Sequence, residues 1–148
     1  MDGFHLHNPI LIERGLLDRK GAPQTFDAAG LLQMVRRLAH EEGVFYPLFD
    51  RARDISIAGA GVIQSDCDTI VIEGNYLLLD QPLWREMRAH WDLSVMLNVA
   101  PEVLRERLIQ RWLRHGLSRE QAEARAVGND LANAEVVRAQ SFPGDLFL

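Results

Sequence analysis

Cysteine and long apolar runs are scarce in this sequence. Its 148 residues contain a single cysteine, Cys67, which excludes an internal disulfide and a cysteine-rich zinc site and suits a reducing compartment. No stretch approaches the ~20 consecutive apolar residues of a membrane span, and no signal peptide opens the chain. The sequence therefore predicts a cytoplasmic protein with no membrane partner.

Positive charge is also scarce. Asp and Glu number 21 against 16 Lys and Arg, and the formal net charge is −5, so no overall field attracts the chain to nucleic acid. The basic residues are fifteen arginines and one lysine, Lys20. Any bound anion must be met by a local cluster of arginines, and only Lys20 could supply lysine chemistry.

The remaining composition is that of a globular protein. Hydrophobic residues make up 47% of the chain and charged residues 25%, which suits one domain with a single core. Helix and strand patterns alternate without a repeat or linker, so one domain over residues 1–148 is expected. Such alternation predicts an open, mostly parallel α/β sheet, whose sites gather beyond the carboxyl ends of its strands.

The predicted elements follow from periodicity and capping signals. Helices are predicted over 27–42, 82–90 and 101–115, and a further helix capped by Ser118 and Gln121 is expected to break near Gly128 and to resume over 133–139. Extended segments are predicted over 45–49, 55–63, 69–72, 93–99 and 146–148. The runs 69–72 and 93–99 are continuous and apolar, as expected of strands covered on both faces of a parallel sheet.

Two acidic residues occupy positions suited to chemistry. Glu73 directly follows the run 69–72, where a magnesium ion, a water or a substrate hydroxyl could use its carboxylate; the alternative is a helix N-cap or a surface ion pair. Asp2 lies in Met1-Asp2-Gly3-Phe4-His5, and an aspartate near an attacking hydroxyl can accept its proton in phosphoryl transfer. The alternative for Asp-Gly is a simple turn.

The helix predicted after Pro101 carries the densest positive charge. Arg107, Arg111 and Arg114 recur at i, i+4 and i+7 and share one face. Arginine suits phosphate because its planar guanidinium donates two parallel hydrogen bonds and keeps its charge. The alternative is a solvated face in which Glu102 and Glu106 neutralise their neighbours.

In this order the segments resemble the uridine kinase, phosphoribulokinase and bacterial pantothenate kinase group of P-loop kinases, in particular bacterial proteins described as nucleoside kinase-like or fructose-transport kinase-like. The resemblance runs from Met1 to about Arg138. It is carried by the segment 1–5 and by Thr25-Phe26-Asp27, Pro47-Leu48-Phe49-Asp50, Ile72-Glu73-Gly74, Arg107-Leu108, Gln110-Arg111, Arg114-His115 and Asn129-Asp130 with Asn133.

The resemblance implies a P-loop kinase fold and transfer of the γ-phosphoryl of ATP to a hydroxyl of a small metabolite: a nucleoside, a pantothenate-like compound or a sugar. ATP and Mg²⁺ are the implied cofactors, and Asp2 is the implied catalytic base. Asp2 and Glu73 are the implied Mg²⁺ ligands. The implied substrate contacts are His5, Asp27, Phe49, Asp50, Arg53, Glu73 and Tyr76. A lid over about 101–127 implies nucleotide contacts by Arg107, Arg111 and Arg114, with Asn133 near the base.

The sequence also departs from that group. It contains no G-x-x-x-x-G-K-[ST] motif, and Lys20 lies in Arg19-Lys20-Gly21-Ala22-Pro23, so the first strand, the P-loop and the first helix are expected to be absent. ATP binding by this chain alone is not expected. The substrate loop lacks the histidine of uridine kinases and the Ser-His of pantothenate kinases, which leaves the acceptor open.

Two other functions remain as alternatives. One is a non-catalytic remnant whose exposed sheet edges favour association, for example as a homodimer. The other is a magnesium-dependent phosphohydrolase that uses Asp2 and Glu73. The hydrolase is disfavoured because such enzymes usually gather more carboxylates than this set offers.

Overall fold

In the computed structural model, which describes all 148 residues, the chain divides into two units, Met1–Trp91 and Asp92–Leu148. The first contains an antiparallel hairpin and the second a parallel strand pair, each accompanied by helices. The predicted α/β class is therefore confirmed. The expectation of one domain over 1–148 stays a prediction.

Two helices belong to the first unit. Helix α1 covers Asn8–Glu13, with a proline in its first turn, where the missing N–H costs nothing. Helix α2 covers Ala28–Leu38 and is capped by Asp27, whose carboxylate accepts from the backbone N–H of Gly30 at 2.8 Å. The helix predicted over 27–42 is confirmed except at its end. Short 3₁₀ turns cover Asp2–Phe4, Leu17–Arg19, Pro23–Thr25 and Arg85–His90, and the last replaces the helix predicted over 82–90.

The hairpin of the first unit pairs β1, Val44–Asp50, with β2, Ile55–Ile63. Both strands confirm the extended segments predicted from the sequence. The register shifts between Tyr46 and Leu48, at Pro47, which has no N–H to donate to the ladder. Asp54 closes the turn between the strands with a left-handed φ of 55°, a conformation that aspartate tolerates better than most residues.

The core of the first unit joins one face of α2 to an aromatic cluster. Phe26, Tyr76 and Trp84 meet edge to face, with ring centroids 5.5 to 6.1 Å apart. The aliphatic part of this core is formed by fully buried side chains, namely Leu11, Leu31, Leu32, Val44, Leu79 and Met87. Burial of this kind fixes the segments that precede and follow β1 and β2.

Two predicted strands are corrected by the structure. The run 69–72 has no regular structure, and Val71 is 87% exposed. Within 93–99 only Val95–Met96 forms a strand, and Leu97 is 70% exposed. An inner strand of a parallel sheet depends on ladder partners at both edges, and no strand of the chain pairs with the run 69–72. Both runs are apolar, but the burial predicted for them was wrong.

The second unit is mainly helical. It contains α3 over Pro101–Arg114, α4 over Arg119–Arg125 and α5 over Ala132–Gln140. The predicted capping box is confirmed, since Ser118 and Gln121 exchange hydrogen bonds at the start of α4. The break predicted near Gly128 is instead a π-helical turn, Ala126–Leu131, which joins α4 to α5 without interruption.

Local packing holds these helices together. Ile109, Ala122 and Ala126 are fully buried against Leu108, Trp112, Leu113 and Leu117. Strand β3, Val95–Met96, runs parallel to β4, Leu146–Phe147, which confirms the strand predicted at the end of the chain. No helix of either unit is both long enough and apolar enough to cross a membrane.

Candidate functional site

Asp2 is held at the start of the first unit by an arginine. It lies in the 3₁₀ turn Asp2–Phe4, and its Oδ2 accepts from Nη2 of Arg51 at 2.6 Å. Gly3 allows the turn to lie against β1, because a Cβ at that position would overlap the carbonyl oxygen of Pro47. The carboxylate predicted as a base is therefore fixed by the turn of the hairpin. Arg51, which makes this contact, was not among the predicted site residues.

His5 lies between two aromatic rings. Its centroid is 4.0 Å from that of Phe26 and 4.8 Å from that of Phe49. The His5 Nδ1 is 2.8 Å from the carbonyl oxygen of Asp2. The hydroxyl of Ser56 donates to the backbone carbonyl oxygen of His5 at 3.0 Å. Burial lowers the pKa of His5 below its usual value, which favours a neutral imidazole at pH 7. His5 and Phe49 thus lie together beside the Asp2 turn, as two members of the predicted set.

Lys20 forms a network that the sequence did not reveal. Its Nζ lies 2.7 Å from Oδ1 of Asn8, 2.8 Å from Oδ2 of Asp54 and 2.9 Å from the carbonyl oxygen of Asp54. Asn8 also donates to the Asp54 carboxylate at 2.9 Å, and Nζ lies 5.2 Å from the ring centroid of Phe49. The only clue in the sequence was that Lys20 is the sole lysine among fifteen arginines.

Asp50 and Arg53 close the hairpin turn on itself. Oδ1 of Asp50 accepts from the backbone N–H of Arg53 at 3.0 Å, and the two side chains approach to 3.8 Å. Both side chains were predicted to contact substrate. In the structure they shape the turn that presents Arg51, and their contact with a substrate stays a prediction.

Asp27 lines an open cleft of about 400 Å³. Besides capping α2, it faces this cleft together with Arg14, Gln24 and Gln81, above a floor that includes Phe26 and Trp84. A volume of this size can hold a small metabolite. The position of Asp27 is compatible with its predicted contact to substrate hydroxyls.

Glu73 and Tyr76 differ sharply in exposure. The side chain of Glu73 is 85% exposed, and its carbonyl oxygen accepts from the backbone nitrogen of Met1 at 2.7 Å. The side chain of Met1 lies over Gly74, where a Cβ would overlap it. Tyr76 is fully buried, and its hydroxyl donates to the carbonyl oxygen of Gly21 at 2.6 Å. This placement speaks against direct contact of Tyr76 with a substrate and assigns it to the core.

The predicted Mg²⁺ ligands do not form a complete metal site within the chain. No group of three His, Cys, Asp or Glu side chains is arranged to hold a metal ion. Mg²⁺ in phosphoryl-transfer sites is commonly held by one or two carboxylates, with phosphate oxygens and waters completing the octahedron. Mg²⁺ binding by Asp2 and Glu73 stays a prediction, which needs a nucleotide and waters to supply the remaining ligands.

The predicted lid residues belong to the second unit. Arg107, Arg111 and Arg114 are exposed on α3, and none of them forms a salt bridge; Glu106 instead accepts from Gln110 at 2.8 Å. The neutralisation by Glu102 and Glu106 that the alternative required is absent from the structure. The guanidinium of Arg111 lies 5.7 Å from the ring centroid of Trp112.

Asn133, the predicted nucleotide contact, lies next to the π-helical turn Ala126–Leu131. Asn133 is 7% exposed and lies 3.4 Å from Oδ1 of Asn129, which the π-helical turn contains. Trp112 donates to Asp130 in the same turn at 2.5 Å. π-Helical turns are frequent at functional sites. The contact of Asn133 with a nucleotide stays a prediction.

The chain is similar in sequence to several known proteins. No protein-family model matches the chain. The chain is 36% identical over its whole length to the uncharacterized protein YggC of Escherichia coli (strain K12), of which it covers 61%. It is 31% identical to the ATP-dependent kinase-like protein notR' of Aspergillus versicolor over 97% of its own length and 90% of the relative.

Solved kinase structures also match the fold of the chain. A crystal structure named as a fructose transport system kinase, from Silicibacter sp. TM1040, matches with a TM-score of 0.97 at 55% identity over 100% of this chain and 72% of that one. Further matches carry the names uridine kinase and pantothenate kinase. The chain spans about three fifths of the length of YggC and somewhat under three quarters of the solved kinase.

Proposed function

The chain belongs to the P-loop kinases that include uridine kinases and pantothenate kinases, and we propose that its protein transfers the γ-phosphoryl of ATP to a hydroxyl of a small metabolite. The observation that carries this proposal is the carboxylate of Asp2, held by Arg51 beside His5 and Phe49. Such a group suits the orientation and deprotonation of an attacking hydroxyl.

The proposed roles follow from position and charge. Asp2 accepts the proton of the acceptor hydroxyl, and Arg51 orients the carboxylate. Asp27 and the cleft beside it bind the remainder of the acceptor. The exposed arginines of α3, which have no carboxylate partners, bind the phosphates of ATP: Arg107, Arg111 and Arg114. Mg²⁺, held by Asp2, Glu73 and the nucleotide, would neutralise phosphate charge.

Residues 1–148 contain no Walker A motif that could cradle the phosphates. Phosphoryl transfer in this family needs a Walker A backbone and lysine, and Lys20 already contacts Asn8 and Asp54. The activity proposed here is that of the protein with such a segment.

The test is an acceptor screen. The gene would be expressed together with the in-frame DNA upstream of the Met1 codon, and its product is called the upstream-extended protein. ADP formation would be followed with Mg²⁺-ATP and uridine, pantothenate or fructose in turn. We expect ADP formation that depends on one acceptor and is lost in Asp2→Asn. Acceptor-independent ATP hydrolysis, or full activity of Asp2→Asn, would overturn the proposed function.

A second candidate function rests on exposed apolar side chains. Val71 in the first unit and Leu97 in the second are largely exposed, and large exposed apolar groups favour association. A non-catalytic fragment would therefore self-associate or bind another chain. Light scattering of the 148-residue chain tests this: a dimer with no kinase activity of the upstream-extended protein favours it, and a monomer counts against the homodimer.

A further inference from the structure

Lys20 is the only lysine of a chain with fifteen arginines. The acceptor oxygens around its Nζ suit an ammonium group better than a guanidinium. Three acceptor oxygens converge on Nζ within 2.9 Å: one from Asn8 and two from Asp54. An ammonium offers three donors around a point, whereas a guanidinium offers a planar fork. The three acceptors thus match the donor capacity of lysine, and its side chain is only 10% exposed.

The contacts of Lys20 reach the turn that carries Arg51. Both acceptors on Asp54 belong to the residue that ends this turn in a left-handed conformation, with φ of 55°. Lys20 and Asp54 are 34 positions apart in the sequence, so the pair ties the segment before α2 to the hairpin. At the other end of the turn, Arg51 contacts Asp2 at 2.6 Å. Fixing Asp54 therefore restricts the positions that Arg51 can reach.

We propose that Lys20 is a positioning residue: by holding Asp54, it fixes the β1–β2 turn so that Arg51 stays against the carboxylate of Asp2. This inference rests on the proposed function for its catalytic meaning, but not for its geometry. Lys20 does not serve as a phosphate ligand, because the three contacts of Nζ already use its donors. Its place over the ring of Phe49 orients a second residue of the same site.

A spectroscopic test needs no kinase activity. In the 148-residue chain, Arg51→Gln defines the amide chemical-shift changes at Asp2 and Gly3 that follow loss of the Arg51–Asp2 pair. We expect Lys20→Met to reproduce this pattern at the same two amides. Asp54→Gly, which removes the carboxylate contact to Lys20 and suits the left-handed φ, should reproduce it as well. Arg37→Gln, which breaks the exposed pair between Arg37 in the last turn of α2 and Glu41 beyond it, is the control and should leave both amides unchanged.

Changes confined to the surroundings of Asn8 and Phe49, with Asp2 and Gly3 at their original shifts, would overturn the proposal. If Lys20→Met does not fold, Asp54→Gly decides the question. Unfolding of both variants would assign the network to stability alone and would also overturn it.

A kinetic test adds the catalytic meaning. In the upstream-extended protein, Lys20→Met should lower kcat by roughly 10- to 100-fold, the range expected when a reacting group is slightly misplaced, with the KM for ATP unchanged. In an Arg51→Gln background the same substitution should have little further effect, because Lys20 acts through Arg51. If the two substitutions lowered kcat independently, so that their effects multiplied, Lys20 would not act through Arg51. A protein without kinase activity would contradict the proposed function and leave the amide-shift result to decide the geometry.

Discussion

The charged residues of the two units differ in what they face. In the first unit Asp2 pairs with Arg51 and Lys20 pairs with Asp54, at 2.6 and 2.8 Å. In the second unit a face of α3 carries three exposed arginines without a carboxylate partner, Arg107, Arg111 and Arg114. The second unit does pair Arg119 with Glu123 and Arg138 with Glu135, so the contrast concerns these two groups of residues: the charges around Asp2 are paired, and the arginine face of α3 is not.

This difference separates two ways of building a site. Internal pairs hold a carboxylate in one geometry before any ligand arrives, which suits a group that must meet a hydroxyl in a fixed orientation. Arginines without a carboxylate partner keep most of their donors for an incoming anion, which suits phosphate binding; of these three, Arg114 uses its Nε on the carbonyl oxygen of Gln110. Under the proposed function, the first unit would supply a preformed acceptor side, and the arginines of α3 would supply a phosphate side that the ligand completes.

The largest expected effect is at the preformed side. In the upstream-extended protein, Asp2→Asn should lower kcat by about 10³-fold, within the range for loss of general base catalysis, and should leave the affinity for ATP unchanged. Steady-state kinetics with a fixed acceptor measure both quantities. Glu41→Gln, which alters an exposed pair with Arg37 just after the end of α2, is the matched control and should keep full turnover. Near-normal turnover of Asp2→Asn would return Asp2 to the role of a turn residue.

A smaller effect is expected at the ligand-completed side. Arg111→Ala should cost about 2 kcal/mol of transition-state stabilisation, the scale of one hydrogen bond to a charged group, and the melting temperature should barely change because the side chain is exposed. Arg105→Ala, on another face of α3, is the control and should leave kcat/KM unaltered. Equal kinetics for the two variants would show that the arginine face is only solvated surface.

The sequence predicted those parts of the fold that depend on near neighbours. The hairpin pairs segments joined by a short turn, and the capping box of α4 involves residues three apart. The run 69–72 failed as a prediction because an inner parallel strand depends on distant partners, which composition does not reveal. The π-helical turn at Gly128 likewise replaces a predicted break, since glycine weakens a helix without requiring it to end.

The candidate site shows the same limit. The motifs predicted Asp2, His5 and Phe49, and the structure brings these three together. Lys20 and Arg51 were missed because their partners lie 34 and 49 positions away along the chain. Tyr76, which the resemblance implied as a substrate contact, is fully buried beside Phe26 and Trp84, where an aromatic ring gains from burial.

The difference between the two units also predicts how tightly the 148-residue chain alone binds ATP. If the arginines of α3 are the only phosphate donors within residues 1–148, Mg²⁺-ATP should bind no tighter than about 1 mM, a free energy near −4 kcal/mol. Calorimetry on the 148-residue chain measures this, with inorganic phosphate as a control for nonspecific anion binding. A micromolar dissociation constant would mean that the chain contains a phosphate cradle other than a Walker A motif.

The smallest expected effect concerns His5, which the first unit keeps uncharged by burial. Its pKa lies below the usual value of 6.5, chiefly through desolvation. As the pH falls below 6.5, the unfolded chain therefore binds this proton before the folded chain does, and stability decreases until the folded pKa is passed. NMR titration of the His5 ring should give a pKa below 6.5. Denaturation at pH 7.5 and 5.5 should show a stability difference that shrinks in His5→Phe, which preserves the aromatic stack. A ring that titrates at or above 6.5 would show that the Asp2 side of the site is open to water and not preformed.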